Sequence, residues 1–277
     1  PGRSDADGFA AKLTSGVGNK FYGCISHHNI DDGWDLYAKS TTGSIGAVTI
    51  ENCVAYSNGF LSTDDPSTMS ANDFGEGNGF KLGGENMPGA HVLKNCISYN
   101  NAGKGITSNS GPDVQVLNCT AYNNSLKGKA YNVSLYTKTS NPKAWVLDGM
   151  LSIAENGITA AELGSSNGVI NSLRSATNYL YDGNKSVNTQ GVEATSALFV
   201  STDITLVPTI TLNGIDMHGL LELKDLSWNA GAKFTSWEAS AKPEATKTVS
   251  TKNVISFVGF NSVALGQAGS VNTGDAT

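Results

Sequence analysis

Three short segments of the chain share one pattern and carry residues that could do chemistry. Each has a polar residue, a glycine, a large apolar residue and then a variable position: Asp7-Gly-Phe-Ala10, Asp32-Gly-Trp-Asp35 and Asn78-Gly-Phe-Lys81. If the segments belong to stacked coils, their variable residues form one outward column, with about 4.8 Å between neighbouring coils. Asp35 and Lys81 are then close neighbours. A carboxylate beside an amine is suited to binding a cation and moving a proton.

Four aspartates lie in or beside the first two segments: Asp7, Asp31, Asp32 and Asp35. Like charges this close repel each other, so the cluster predicts a bound cation. Calcium suits it best, because Ca²⁺ takes about six to eight oxygen ligands in a flexible geometry. Zinc is disfavoured because the cysteines are expected to face the core and the histidines are scattered. No glutamate closes an EF-hand loop after Asp5, so the predicted site is of another kind.

Two interpretations of Lys81 are open. A solvated surface lysine is the common case. A lysine beside Asp35 and a bound Ca²⁺, however, has its charged form disfavoured by the cation, which lowers its pKa toward the range of a general base. Gly79, Gly83 and Gly84 flank Lys81 and leave room for a ligand to approach.

A cysteine register shows that the chain repeats. Each cysteine is followed five residues later by an asparagine: Cys24 by Asn29, Cys53 by Asn58, Cys96 by Asn101 and Cys119 by Asn124. Irregular periods with strand-like cores and polar turns predict an all-β solenoid. Two disulfides are the alternative for these cysteines, but their shared position favours free thiols facing the core. We expect the asparagines to stack at a bend and hydrogen-bond to one another.

The coil that delivers Lys81 carries a long insertion. It runs from about residue 59 to residue 76 and is rich in Ser, Thr, Asp and Asn. Loops of this length are often functional, so we expect it to overhang the column of Asp35 and Lys81; surface decoration is the alternative. We predict a single solenoid domain over residues 1–277. Residues 1–165 form regular coils with the active site, and residues 166–277 form the final coils and a C-terminal cap over the open core.

Composition limits the partners. The net charge is −6 and the only arginines are Arg3 and Arg174, which makes nucleic acid an improbable partner. No apolar run is long enough to span a membrane. No signal peptide opens the sequence, and we expect a secreted protein, extracellular or periplasmic, in its mature or truncated form. We expect it to be a monomer.

Four segments resemble polysaccharide lyase family 9: Asp5-Ala-Asp-Gly-Phe-Ala-Ala-Lys-Leu13, Gly23-Cys-Ile-Ser26, Asp31-Asp-Gly-Trp-Asp-Leu36 and Asn78-Gly-Phe-Lys-Leu-Gly83. The resemblance is continuous from about residue 4 to residue 125. It implies a right-handed parallel β-helix and pectate lyase activity. Members of the family carry several coils before the first motif, so the resemblance implies that N-terminal coils are missing here.

The resemblance also implies roles for individual residues. Calcium is held by Asp7, Asp31, Asp32 and Asp35, and Lys81 is the catalytic base of a β-elimination on a uronate polymer such as polygalacturonate. The anionic substrate then needs further positive charge, for which we assign Lys12, Lys39 and Lys104. The same family contains rhamnogalacturonan lyases, so an acidic plant cell-wall polysaccharide is the expected partner and the choice of polymer is open.

Two hypotheses from other classes compete with a lyase. One is a non-catalytic β-helix that binds carbohydrate or acts as an adhesin and holds calcium for structural reasons. The other is a hydrolase that uses two carboxylates, which gives Lys81 and the calcium site no role. Loss of turnover in a folded Lys81→Ala variant distinguishes the lyase from the binding module.

Overall fold

The fold is taken from a computed structural model that describes residues 5–128, 130–136, 144–155, 157–163 and 168–234. Fifteen short strands, from Phe9 to Ile153, form three parallel sheets of five strands each. The chain visits the three sheets in turn, so each circuit is one coil. The predicted all-β parallel β-helix is confirmed.

The first sheet contains β1 (Phe9–Ala10), β4 (Trp34–Asp35), β7 (Phe80–Lys81), β10 (Ile106–Thr107) and β13 (Val133–Ser134). The second contains β2 (Asn19–Tyr22), β5 (Val48–Glu51), β8 (Val92–Lys94), β11 (Gln115–Leu117) and β14 (Val146–Asp148). The third contains β3 (Ile25–His27), β6 (Val54–Tyr56), β9 (Ile97–Tyr99), β12 (Thr120–Tyr122) and β15 (Leu151–Ile153).

Like residues stack on like residues inside the coils. The rings of Phe9, Trp34 and Phe80 stack with 4.8 Å between successive centroids. Cys53, Cys96 and Cys119 are buried in the same apolar cluster, and Cys24 packs against it. All four thiols are free, as expected. The cysteines are therefore small core residues at one repeated bend.

Residues with left-handed backbone make the bends at both ends of the third sheet. Before the strands these residues are Gly23, Asn52, Asn95, Asn118 and Gly149, and after them His28, Ser57, Asn100 and Asn123. Asparagine and glycine adopt this conformation more readily than most residues. The recurrence of Asn in the sequence thus reflects the geometry of the corners.

The predicted asparagine ladder is present and is one member longer than the cysteine register indicated. The side-chain amides of Asn29, Asn58, Asn101 and Asn124 each donate to the Oδ1 atom of the next asparagine at 2.8–3.0 Å, and Asn132 is the fifth member. The same Oδ1 atoms accept backbone N–H groups of the preceding coil. The ladder therefore satisfies buried polar groups that would otherwise lack partners.

The described residues after 165 are less regular than the coils before them. They form the short helix α1 (Gly168–Ser172), the antiparallel strands β16 (Leu180–Tyr181), β17 (Ser186–Val187) and β18 (Glu193–Ala194), and the antiparallel pair β19 (Thr209–Thr211) and β20 (Gly214–Asp216). Ser196–Leu198 form a 3₁₀ turn. Antiparallel pairing does not extend a parallel coil, although Tyr179 still pairs in parallel with Leu151 of β15. The division of this region into final coils and a cap therefore stays a prediction.

At the end of the coils, side chains provide part of the hydrogen bonding that a following coil would supply. The buried carboxylate of Glu162 accepts from the backbone N–H groups of Val133 and Tyr181, and Asn178 accepts from Met150 N. Ile170 and Leu180 are buried in the coil core. Residues 235–277 lie outside the described residues, so the prediction of one domain and a cap over 166–277 stays a prediction for that part.

A second apolar cluster covers the outer face of the third sheet. Tyr56, Tyr99 and Tyr122 point outward from successive coils and pack with residues such as Phe199 and Leu220. Further along, Lys233 N donates to Asn95 Oδ1 at 2.7 Å. From β6 to β15 this sheet is therefore buried on both faces, whereas His27 on β3 is exposed. Sequence reasoning based on the cysteine register did not predict this cover. Within the described residues, no helix has the length and apolar character needed to cross a membrane.

The ladder generates a stability prediction. Asn101→Ala should lower the free energy of unfolding by about 3 kcal/mol, because it leaves the buried amide groups of Asn58 without their acceptor. Chemical denaturation followed by circular dichroism measures this. Asn19→Ala is the matched control, since Asn19 is exposed and makes one local hydrogen bond. Equal losses in the two variants would contradict a structural role for the ladder.

Candidate active site

The strand register of the first sheet places Asp35 directly beside Lys81. Ala10, Asp35, Lys81, Thr107 and Ser134 are successive partners across the five strands. The outward column predicted from the repeated segments is therefore confirmed. Both residues belong to the outward column but are largely covered by their neighbours: 2% of the surface area of Asp35 and 8% of that of Lys81 is exposed.

The three other predicted aspartates lie where the chain enters the first sheet, and backbone amides orient them. Asp32 Oδ1 accepts from Asn78 N at 2.7 Å, and Asp7 Oδ1 accepts from Asp32 N at 3.2 Å. Asp31 accepts from Asp5 N at 2.7 Å and from Glu76 N at 3.1 Å. The carboxylates are therefore held by neighbouring coils before any ligand arrives.

Carboxylate oxygens come together in two overlapping groups. Asp7, Asp32 and Asp35 each offer one oxygen within 4.8 Å of the others, and Asp31, Asp32 and Glu76 do the same. Asp32 belongs to both groups. The structure thus brings together all four predicted aspartates and adds Glu76, which sequence reasoning missed.

Lys12 lies inside this cluster. We expected it to contact a substrate, but its Nζ is 2.7 Å from Asp7 Oδ2 and 2.7 Å from Asp35 Oδ2. Both aspartate side chains are only 3% exposed, and a buried carboxylate needs a cation or hydrogen-bond donors nearby. Burial lowers the pKa of Lys12, but the contacts with Asp35 and Asp7 outweigh it and raise the pKa above its ordinary value.

Lys81 is surrounded by carboxylates. Its Nζ lies 3.0 Å from Asp32 Oδ2, 3.1 Å from Glu76 Oε2 and 3.5 Å from Asp35 Oδ2. Burial lowers the pKa of Lys81, but the charges of Asp32, Asp35 and Glu76 outweigh burial and raise it well above its ordinary value. Without a further cation in the cluster, Lys81 is held in its protonated form.

The long insertion delivers Glu76. Its ends meet where Gly75 N donates to Gly59 O at 2.9 Å, and Phe60 and Phe74 pack together within it. Lys127 Nζ donates to the carbonyl oxygens of Gly75 and Glu76. The end of the predicted overhanging loop therefore reaches Lys81. Glu76 stands directly before the Gly-Asn-Gly stretch, a position that could have marked it in the sequence.

The two other lysines assigned to the substrate lie apart from the carboxylate contacts. Lys39 is exposed, and its Nζ lies 6.0 Å from the ring centre of Tyr37. Lys104 is half-buried in the coil after Lys81, and its charge acts on Glu76. Their contact with a substrate stays a prediction.

The donor set fits a hard divalent cation. Burial raises the pKa of Asp32 to about 7, against the opposing charge of Lys81, and also raises the pKa values of Asp35 and Asp31. Lys12 and Lys81 therefore do not fully compensate the negative charge of the aspartates. In addition, Asp35 Oδ1 is buried and accepts no hydrogen bond. Aspartate oxygens with free lone pairs are the ligands that Ca²⁺ prefers.

The parallel β-helix fold, with an acidic cluster and a lysine on its first sheet, places the chain in the class of right-handed β-helix proteins. Residues 2–141 match the family model described as Pel9A-like, right handed beta helix region. The chain belongs to this family, as the motifs of the sequence predicted.

Known relatives carry lyase names. The chain is 47% identical over 215 residues to pectate lyase L of Thermoclostridium stercorarium, which covers 76% of this chain and 16% of that protein. It is 55% identical over 108 residues to pectate lyase L of Paenibacillus polymyxa, covering 39% of this chain and 23% of that protein. The chain therefore matches less than a quarter of the length of either relative. The crystal structure of pectate lyase Pel9A is 29% identical with a TM-score of 0.47, covering 86% of this chain and 53% of that one.

The position of Lys12 generates a prediction for the metal-free protein. In EDTA, Lys12→Met should lower the free energy of unfolding by about 2 kcal/mol, because Asp7 and Asp35 stay buried without their closest cation. Thermal or urea denaturation measures the change. Lys20→Met is the matched control, since the exposed Lys20 pairs with Glu51 at 2.8 Å on the second sheet. A loss no larger than that of the control would show that Lys12 does not stabilise the cluster.

Proposed function

We propose that the protein is a calcium-dependent polysaccharide lyase that cleaves uronate-containing pectin, such as polygalacturonate, by β-elimination. The observation that carries the proposal is the single patch in which Lys81 Nζ lies within 3.5 Å of Asp32, Asp35 and Glu76. The names of the relatives, pectate lyase L in both cases, support the reaction class.

Asp7, Asp31, Asp32 and Asp35 would hold the cation, and Asp35 Oδ1 is ready to accept it without breaking a hydrogen bond. When bound, Ca²⁺ supplies a positive charge that draws the substrate carboxylate and stabilises negative charge on the neighbouring carbon. Lys12 contacts the other oxygen of Asp35, Oδ2, and Asp7 Oδ2. The cation would therefore share these two carboxylates with Lys12.

Lys81 is the proposed base. Only its neutral form accepts a proton, and the same carboxylates that would bind the cation now hold Lys81 protonated. A divalent cation held by Asp32 and Asp35 would offset the two largest charges that favour the ammonium form of Lys81. Neutral Lys81 then takes the C5 proton, and the C5–H electron pair forms the C4–C5 double bond. The C4–O bond breaks with its electron pair on the oxygen, which takes a proton from water as the other chain end leaves. We expect activity to rise into the alkaline range for this reason.

The proposal extends to the biological setting. An acidic plant cell-wall polysaccharide is the proposed partner, with Lys39 and Lys104 contacting its carboxylates. A secreted monomer is the proposed form, since the polymer lies outside the cell.

The most direct experiment is an ultraviolet absorbance assay on polygalacturonate and on rhamnogalacturonan, with and without EDTA. A conjugated unsaturated uronide absorbs, whereas hydrolysis leaves no double bond. We expect absorbance to grow with polygalacturonate, to stop with EDTA and to return with added Ca²⁺. Activity on rhamnogalacturonan alone would assign the other lyase of the family. Polymer cleavage without absorbance would overturn β-elimination in favour of hydrolysis.

Lys81→Ala tests the base. Turnover should fall by about 10²–10⁴-fold, because a positioned general base contributes about this much, while the circular dichroism spectrum stays unchanged. Lys20→Ala, on the second sheet, serves as the control and should keep full turnover. If Lys81→Ala retains the wild-type rate, another group is the base. If neither the wild-type protein nor Lys81→Ala has turnover but both bind the polymer, the protein is a binding module.

A further inference from the structure

One aromatic side chain next to Lys81 has no part in the proposed chemistry. Tyr37 follows Asp35 by two residues, so both project from the same face of the extended chain. Its ring centre lies 5.7 Å from Lys81 Nζ. Tyr37 is only partly buried. An aromatic ring is therefore available at the surface next to the proposed base.

The ring of Tyr37 is held firmly by the next coil. Its hydroxyl donates to Glu85 Oε1 at 2.7 Å. Glu85 Oε2 in turn accepts from the N–H and the hydroxyl of Ser40, at 2.8 and 2.7 Å. A methyl group at Gly84 would collide with the ring of Tyr37, so the glycine permits this close packing. The ring is thus clamped at its tip and along one edge.

This clamp determines which part of Tyr37 can meet a ligand. The hydroxyl hydrogen is already donated to Glu85, so the ring face, rather than the hydroxyl, is left for a ligand. Lys39 Nζ also lies over this ring, 6.0 Å from its centre. Aromatic faces bind the apolar side of ligands and orient them. The carbon-bound hydrogens on one side of a pyranose ring form such an apolar surface.

The charges around Lys81 indicate the side from which a sugar approaches. Glu76, which is outside the set of aspartates proposed to hold the cation, lies 3.1 Å from Lys81 Nζ and repels an anionic sugar on its side. Tyr37 offers an uncharged surface 5.7 Å away. A sugar whose proton is within hydrogen-bond reach of Lys81, about 3 Å, is then within contact distance of the Tyr37 ring.

We propose that Tyr37, clamped by Glu85 and Gly84, is the wall against which the uronate ring next to Lys81 stacks. This inference rests on the proposed lyase function and adds a residue that binds and orients the sugar. It requires no change at Lys81 or the aspartates.

Kinetics and direct binding test the proposal with the full chain. We expect Tyr37→Ala to raise KM for polygalacturonate about tenfold, the effect of one lost aromatic contact. Tyr37→Phe, which keeps the ring but loses the hydrogen bond to Glu85, should raise KM about threefold. Tyr22→Ala is the matched control. Like Tyr37, Tyr22 is half-buried, and its ring centre lies 5.0 Å from a lysine Nζ, that of Lys20. Its hydroxyl accepts a hydrogen bond from Asn52, but Tyr22 is on the second sheet.

Calorimetric titration of a saturated trigalacturonide in the presence of Ca²⁺ separates this inference from the lyase proposal. The trigalacturonide should bind Lys81→Ala about tenfold more tightly than it binds the Lys81→Ala, Tyr37→Ala double variant. Unchanged KM and unchanged binding would overturn the stacking role while leaving the lyase intact. Equal losses in the Tyr22→Ala and Tyr37→Ala variants would also overturn it. Absence of unsaturated product from the wild-type protein would overturn the lyase, and the titration would still decide whether Tyr37 binds sugar.

Discussion

The in-register pairing of parallel strands is the constraint on which the rest of the structure depends. It sets each residue beside its counterpart in the next coil, so a repeated residue becomes a continuous row. Inside, the rows are aromatic rings and thiols, and at the corner they are asparagine amides. On the outside of the first sheet, the same pairing sets Asp35 beside Lys81. A shift of one residue between coils would separate that pair.

Charge compensation explains the arrangement of the site. The aspartates are too buried to remain without partners, and two lysines from neighbouring coils share them: Lys12 contacts Asp7 and Asp35, and Lys81 contacts Asp32 and Asp35. The raised pKa values of Asp31, Asp32 and Asp35 show that this compensation is incomplete. The negative charge that the lysines leave uncompensated is what the proposed cation would offset.

The parts of the fold that follow the repeat could be predicted from the sequence, and the irregular parts could not. Stacking of Asp35 on Lys81 follows from the shared motif, whereas Glu76 arrives from a long loop with no counterpart in other coils. Lys12 was identified as a cation near the site, but its preference for buried carboxylates depends on distances that spacing does not reveal. The cover on the third sheet depends on outward Tyr56 and its equivalents, which a register based on cysteine ignores.

That cover has a consequence for the order in which the protein folds. Lys233 hydrogen-bonds to Asn95, a partner 138 positions earlier in the chain. As the chain leaves the ribosome, the early coils can pair locally. Their row of outward tyrosines, however, stays exposed to water until the covering residues, such as Phe199 and Leu220, have been made. Contacts between such distant positions slow folding, and exposed apolar rows favour association between chains. The coils are therefore most prone to aggregate during synthesis, before the later residues of the second apolar cluster can cover them.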